Sequence, residues 1–178
     1  FSIGICGCER GCGVTHFTIA LANYCASKLC RSTACLELNQ TGAFRRLTQF
    51  SSASLSQIKG HSVISIYDVD YYPELFCTDI PEIYNIGYCY LLFDFGILTE
   101  ETYNELLRCD HKIIIGSLVP WNADCYHNFF QKYIYRQKTR EGFYYLVLFG
   151  GKKDMHDFSG KRHIYMRQLP FLKNPFCI

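Results

Sequence analysis

"ICGCERGCGVTHFTIALANY", Ile5 to Tyr24, is the stretch whose reading decides the fold. A β-type run, "FSIGIC", leads into a loop holding Gly11 and Gly13. From Thr15 to Leu29, Phe17, Ala20, Leu21, Tyr24 and Leu29 then fall close to helical spacing. Strand, glycine loop and helix together form the usual cradle for a phosphate, because backbone N–H groups at a helix N-terminus attract anions. At the position where such a loop keeps its lysine, this chain has Val14.

Working outward, "RSTACLEL" reads as a second strand, broken by the turn chemistry of "NQTG". Residues 43–60 hold Phe44, Leu47, Phe50, Leu55 and Ile58 without a clear period, and short helices are expected there. "HSVISIYDVD" alternates as a single strand, and "DIPEIYNIGY" reads as a short helix with Asp79 as N-cap and Pro81 in its first turn. "CYLLFDFG" is apolar up to Asp94, as expected of a strand covered on both faces. A helix capped by Thr99 comes next in "TEETYNELLRCD", then a strand "HKIIIGSL", a helix "ADCYHNFFQKYIYRQK", a strand "GFYYLVLFGG" and a last strand within "KRHIYMRQLP". Strands alternating with helices predict a doubly wound α/β sheet, mostly parallel, with helices on both faces. Ligands of such sheets bind at the carboxyl ends of the strands, where the loop after Cys6, the turn after Leu38 and the segment after Phe93 should converge.

The 178 residues suit one domain, 1–178, and show no internal repeat or low-complexity tract. No apolar run approaches the roughly 20 residues that span a bilayer, so no transmembrane segment is expected. The eleven cysteines are odd in number, scattered and mostly set in apolar runs, which predicts free thiols and a reducing cytoplasm. The chain starts at Phe1 without Met, which leaves open a missing residue or a preceding segment. Residues 1–130 carry 8 Lys/Arg against 13 Asp/Glu, whereas residues 131–167 carry 9 against 3. The basic stretch is either a solvated helix end and loop or a contact surface for an acidic partner, nucleic acid or lipid headgroups.

The order of these motifs resembles the ParA/MinD family of P-loop ATPases with a deviant Walker A loop, including its TadZ/CpaE-type branch. Their loop has the form G-K-G-G-x-G-K-T-T. In "CERGCGVTH", Gly11, Gly13 and Thr15 match, and Glu9 and Val14 replace the two lysines. "LLFDFG" matches the Walker B strand, and "ACLELNQTG" the D-x-D-x-x-G segment, with Glu37, Asn39 and Gly42 at its three marked positions. The resemblance implies ATP or ADP cradled by Arg10, Gly11, Cys12, Gly13, Val14, Thr15 and His16, with "LPF" around Pro170 near the base. It implies Mg2+ at Thr15 and Asp94, catalytic roles for Glu37 and Asp94, a homodimer and a protein partner. Phosphoryl transfer needs cations to neutralise developing charge, so loss of the lysines points to weak or absent hydrolysis. The expected role is positioning or assembly by a degenerate P-loop protein. A slow ATPase using Arg10 or a second subunit's charge, and an interaction module with an empty loop, stand as alternatives. Without a ligand, Gly11 and Gly13 would serve a tight turn, Thr15 would start a helix and Asp94 would cap the segment beyond its strand.

The same residues raise other chemistry. Cys6, Cys8, Cys12 and His16 do not have usual zinc spacing. Cys8 or Cys12 beside His16 would suit a thiol nucleophile if the helix N-terminus lowered the thiol pKa. The aromatic runs near 126–135 and 143–149 read as core rather than base-stacking surfaces. Trp121 reads as a ligand or partner contact, or as a helix-start staple.

Overall fold

A computed structural model describes residues 1–135, 137, 141–170 and 173–176. Its nine-stranded sheet has the order β3-β4-β5-β2-β6-β1-β7-β8-β9. The strands that matter for the site are β1 (Ser2–Gly7), β2 (Thr33–Glu37), β6 (Tyr90–Ile97), β7 (His111–Gly116), β8 (Phe143–Val147) and β9 (Met166–Gln168). They run parallel with β5 (Val69–Tyr72), while β4 (His61–Ile66) and β3 (Ser54–Ile58) form an antiparallel extension at one end.

Strand parity divides the core into two layers. Ile3 and Ile5, Cys35, and Leu92 face α1 (Val14–Ser27) and the 3-10 turn Phe44–Gln49. Cys6, Leu36, Phe93 and Phe95 face the opposite layer. That layer contains α2 (Ile80–Tyr84), α3 (Glu100–Arg108), α4 (Ala123–Phe129) and α5 (Lys152–Gly160). Burying both faces explains why β1, β2 and β6 read as nearly continuous apolar runs. In β7, Gly116 lets the buried Tyr126 ring lie directly on the strand, where a Cβ would collide with the ring, and the Tyr126 hydroxyl donates to the carbonyls of Ile114 (3.2 Å) and Leu146 (3.3 Å).

The helix expected from Thr99 forms, with the Thr102 N–H donating to the Thr99 hydroxyl at 3.2 Å. Asp79 differs: its carboxylate accepts the Phe76 N–H at 2.8 Å, capping the turn before α2 and making no cap bond to α2 itself. Two other expectations are corrected, and one further helix forms. Residues 43–60 form a 3-10 turn and β3, because Leu55 and Ile58 sit on an exposed edge strand and never needed a helical stripe. "HSVISIYDVD" is two strands, β4 and β5, joined through Tyr67 (φ 49°) and Asp68 (φ 63°). Such a turn usually announces itself with Asn-Gly, and two non-glycine residues at positive φ leave the alternation apparently unbroken. "KKDMHDF" forms α5, with Asp154 accepting the Gly151 N–H at 2.9 Å. The helix expected over "ADCYHNFFQKYIYRQK" continues from α4 as a π turn to Ile134, and Arg136 and Lys138 lie outside the described residues. Among the described residues, no helix is long and apolar enough to cross a membrane.

The Gly116→Ala variant is expected to lose about 1–3 kcal/mol of stability, since its Cβ would collide with the fully buried Tyr126 ring. Urea denaturation followed by fluorescence measures this loss.

Candidate functional site

The β1–α1–β2 crossover carries α1 across β6, which lies between β1 and β2. The loop between β1 and α1 therefore sits over the carboxyl ends of β6 and β7. The Cys8 N–H donates to the Ile115 carbonyl at 2.8 Å, and the Phe17 N–H to the Gly13 carbonyl at 2.9 Å. Gly11 (φ 79°) and Gly13 (φ 85°) take left-handed conformations that most residues avoid. No atom lies within 4 Å of where a Gly11 Cβ would stand, so that side of the loop opens outward.

Side chains divide between the core beneath the loop and solvent above it. Cys12 and Val14 are buried among Ile3, Ile5 and Ile19, and both close over Gly7. Arg10 and His16 are exposed on the loop and first helical turn. Glu9 leans toward α4, where its carboxylate engages the Cys125 thiol. The position of a phosphate-contacting lysine is thus filled by a core residue, and Arg10 is the cation on the loop itself.

Parity also explains the two carboxylates. Leu92 and Asp94 point to the α1 face of β6, and Cys35 and Glu37 to the same face of β2, where Glu37 and Asp94 are register neighbours. Asp94 is fully buried. Its Oδ2 accepts the Thr15 hydroxyl at 2.6 Å, its Oδ1 accepts the Gly96 N–H at 3.0 Å, and Asn39 also bonds it. Burial outweighs these donors, with nearby Glu37 adding repulsion, and pushes the Asp94 carboxyl up to about 6.

Glu37 is equally buried but differently occupied. Its carboxylate accepts the Thr41 hydroxyl (2.8 Å), the Ala43 N–H (2.7 Å), and the Phe44 and Glu74 N–H groups (both 3.3 Å). Those bonds tie the loop after β2 to the end of β5. The geometry gives Glu37 a loop-organising task, which the residue pattern alone did not reveal.

The structure gathers Gly11, Cys12, Gly13, Val14, Thr15, Asp94, Asn39 and Glu37 around the start of α1. Pro170 is exposed beyond β9, at the far end of the sheet order from β1 through β7 and β8. Leu148, just after β8, is the side chain nearest Gly13, a neighbour that only the strand order discloses. Trp121, 80% exposed after β7, is no helix-start staple. Burial pushes the thiols of Cys8 and Cys12 up, away from the thiolate that a nucleophile needs. Among the described residues, no three His, Cys, Asp or Glu side chains gather as metal ligands. Clefts of about 510 Å³ between α2 and α3 and about 390 Å³ beside β3 and β4 contain no loop residue.

A magnesium ion with a nucleotide fits part of this arrangement. Thr15 and Asp94 are an oxygen pair already in contact at a helix N-terminus, and the open side of Gly11 leaves the amides approachable. The charge complement does not fit, because Val14 supplies none.

No protein-family model and no curated protein matches the sequence. Its fold is similar to that of a ParA family ATPase from Chlorobium tepidum (TM-score 0.69, 11% identity, covering 97% of this chain and 85% of that one). It is also similar to a plasmid partition protein from Borrelia burgdorferi bound to AMPPNP (TM-score 0.63, 14% identity, 94% and 82% covered). A third likeness is to the MinC:MinD cell division complex of Aquifex aeolicus (TM-score 0.55, 15% identity, 88% and 72% covered). Other structures of this fold hold Mg-ADP or lie on nonspecific DNA. The chain has the fold of the ParA/MinD P-loop ATPases.

The two carboxylates give two expected outcomes. Asp94 takes up a proton more readily folded than unfolded, where its ordinary value is 3.8. Its contribution is therefore most favourable below that value and declines as pH rises to about 6, levelling above. Asp94→Asn removes this dependence, so its stability relative to the parent chain should improve by on the order of 3 kcal/mol from pH 4 to 7, read by urea midpoints. Glu37→Gln places an NH2 against backbone N–H donors and should cost about 1–3 kcal/mol in the same assay at pH 7.

Proposed function

We propose that this chain is a ParA/MinD-like protein with a degenerate P-loop that binds ATP or ADP through its loop amides, hydrolyses it poorly and acts through a docked partner. The observation that carries this reading is the Thr15–Asp94 contact at 2.6 Å beneath the two left-handed glycines, next to a buried Val14. The anion cradle and the oxygen pair for Mg2+ persist, and the cation that would stabilise a phosphoryl transition state does not. Bound Mg2+ would offset phosphate charge there. Thr15 and Asp94 would hold it, and Gly11, Cys12, Gly13 and Thr15 would present N–H groups to the phosphates.

Binding without efficient turnover leaves the nucleotide as a signal rather than a fuel. The fold's relatives support a positioning role with macromolecular partners, since one is complexed with MinC and another lies on nonspecific DNA. Exposed Lys152, Lys153, Lys161 and Arg167 offer cations to an acidic partner. Arg136, Lys138 and Arg140 of the same basic stretch lie outside the described residues.

Calorimetric titration of ATP and ADP, with and without Mg2+, tests this proposal. Micromolar binding that is strengthened by Mg2+ and weakened by Asp94→Ala is expected, with phosphate release near the buffer background. Silence at millimolar nucleotide sinks the binding claim. Steady turnover lost in Asp94→Ala sinks the non-catalytic one and favours a slow ATPase.

A further inference from the structure

β3 ends the sheet, and its outer edge has no strand beside it. Ser54, Leu55, Ser56 and Gln57 are exposed, and Ile58 half-buried. The strand contains no charge, proline or glycine, and its register against β4 is unbroken from Ser54↔Ser65 to Ile58↔His61. Charge, proline and irregular register are the features by which an edge is usually protected from pairing, and all are missing. The opposite end of the sheet is built differently, because β9 has three residues and Arg167 lies on it. Among the described residues, no hydrogen bond reaches the outer edge of β3. Alternate N–H and C=O groups along β3 are therefore left to water or to another strand.

The strand is complementary to itself. Antiparallel pairing about a two-fold axis at Ser56 sets Ser54 opposite Ile58 of a second copy, Leu55 opposite Gln57, and Ser56 opposite Ser56. No charge meets a like charge, and Lys59, just beyond, falls opposite Ala53. Whichever alternate set of backbone groups points outward, an axis through a residue brings it against the same set in the second copy. Leu55, 71% exposed, lies diagonal to the second copy's Leu55 on one face, within reach of a long side chain. Phe50 and Tyr67, both exposed and both packed on Phe176, add apolar surface next to this hairpin.

We propose that the chain forms a two-fold dimer by antiparallel pairing of β3 with β3 of a second copy, continuing the sheet across the axis. The pairing is independent of the glycine loop, which lies at the carboxyl ends of the central strands.

Sedimentation equilibrium up to about 100 µM, without nucleotide, tests it. The parent chain is expected to dimerise, and Ser56→Lys, which sets two lysines face to face on the axis, to sediment as a folded monomer by circular dichroism. Ser54→Lys with Ile58→Glu places opposite charges across the interface and should retain the dimer. Ser54→Lys with Ile58→Lys places like charges there and should lose it, a comparison that holds even if Ser56→Lys fails to fold. A monomeric parent chain, or a dimer indifferent to the sign of residue 58, overturns the proposal. So does a monomer whose β3 edge instead captures another protein's strand.

Discussion

The contact between Thr15, in the first turn of α1, and Asp94, near the end of β6, joins the two elements on which the arrangement of the site depends. A right-handed crossover from β1 to β2 has to carry α1 over β6, and the start of the helix therefore falls above that strand's carboxyl end. Strand parity then decides which side chains meet it. Leu92 packs beneath the helix, Asp94 comes two residues later on the same face, and Phe93 and Phe95 are sent to the other layer. A buried carboxylate in that place is held by donors from three segments: Thr15, Gly96 and Asn39. Its cost is visible in its raised proton affinity, which only a bound cation or those donors offset.

The loop above this carboxylate retains its shape without a lysine at position 14. Shape comes from the backbone: two glycines at positive φ, an amide tied to β7, and a helix N-terminus. Charge would have to come from side chains, and on the loop itself Arg10, exposed to solvent, is the cation. Val14 and Cys12 serve the core, and Glu9 reaches α4. Ground-state recognition of an anion can rest on amides alone, whereas phosphoryl transfer needs charge where the transition state develops it. That distinction separates a protein that senses a nucleotide from one that consumes it.

The two ends of the sheet show a similar separation. At one end, Lys152, Lys153, Lys161, Arg162 and Arg167 outnumber Asp154 and Asp157 around a short final strand. At the other, a meander of β3, β4 and β5 ends in an uncharged strand with free backbone groups. Partners of different chemistry suit these ends, acidic surfaces the first and extended strands the second. The β3 end lies away from the loop, whereas Leu148, just after β8, stands beside Gly13.

Local chemistry made much of this legible from sequence alone. The apolar runs of β1, β2 and β6, the glycines of the loop, the Thr99 cap and the hydrophobic strand ending in Asp94 are local patterns, and each formed as the spacing predicted. The β4–β5 hairpin was hidden because Tyr67 and Asp68 adopt positive φ without glycine, under tertiary pairing that no local signal records. Glu37 could be placed on a strand end, but its capture by amides of residues 43, 44 and 74 depends on a loop returning from β5. The sequence by itself determined which chemical groups exist: a glycine loop, two carboxylates and no lysine at position 14. Only the tertiary structure decided which of them meet, because strand order and parity, not chain distance, bring Asp94 to Thr15 across 79 residues.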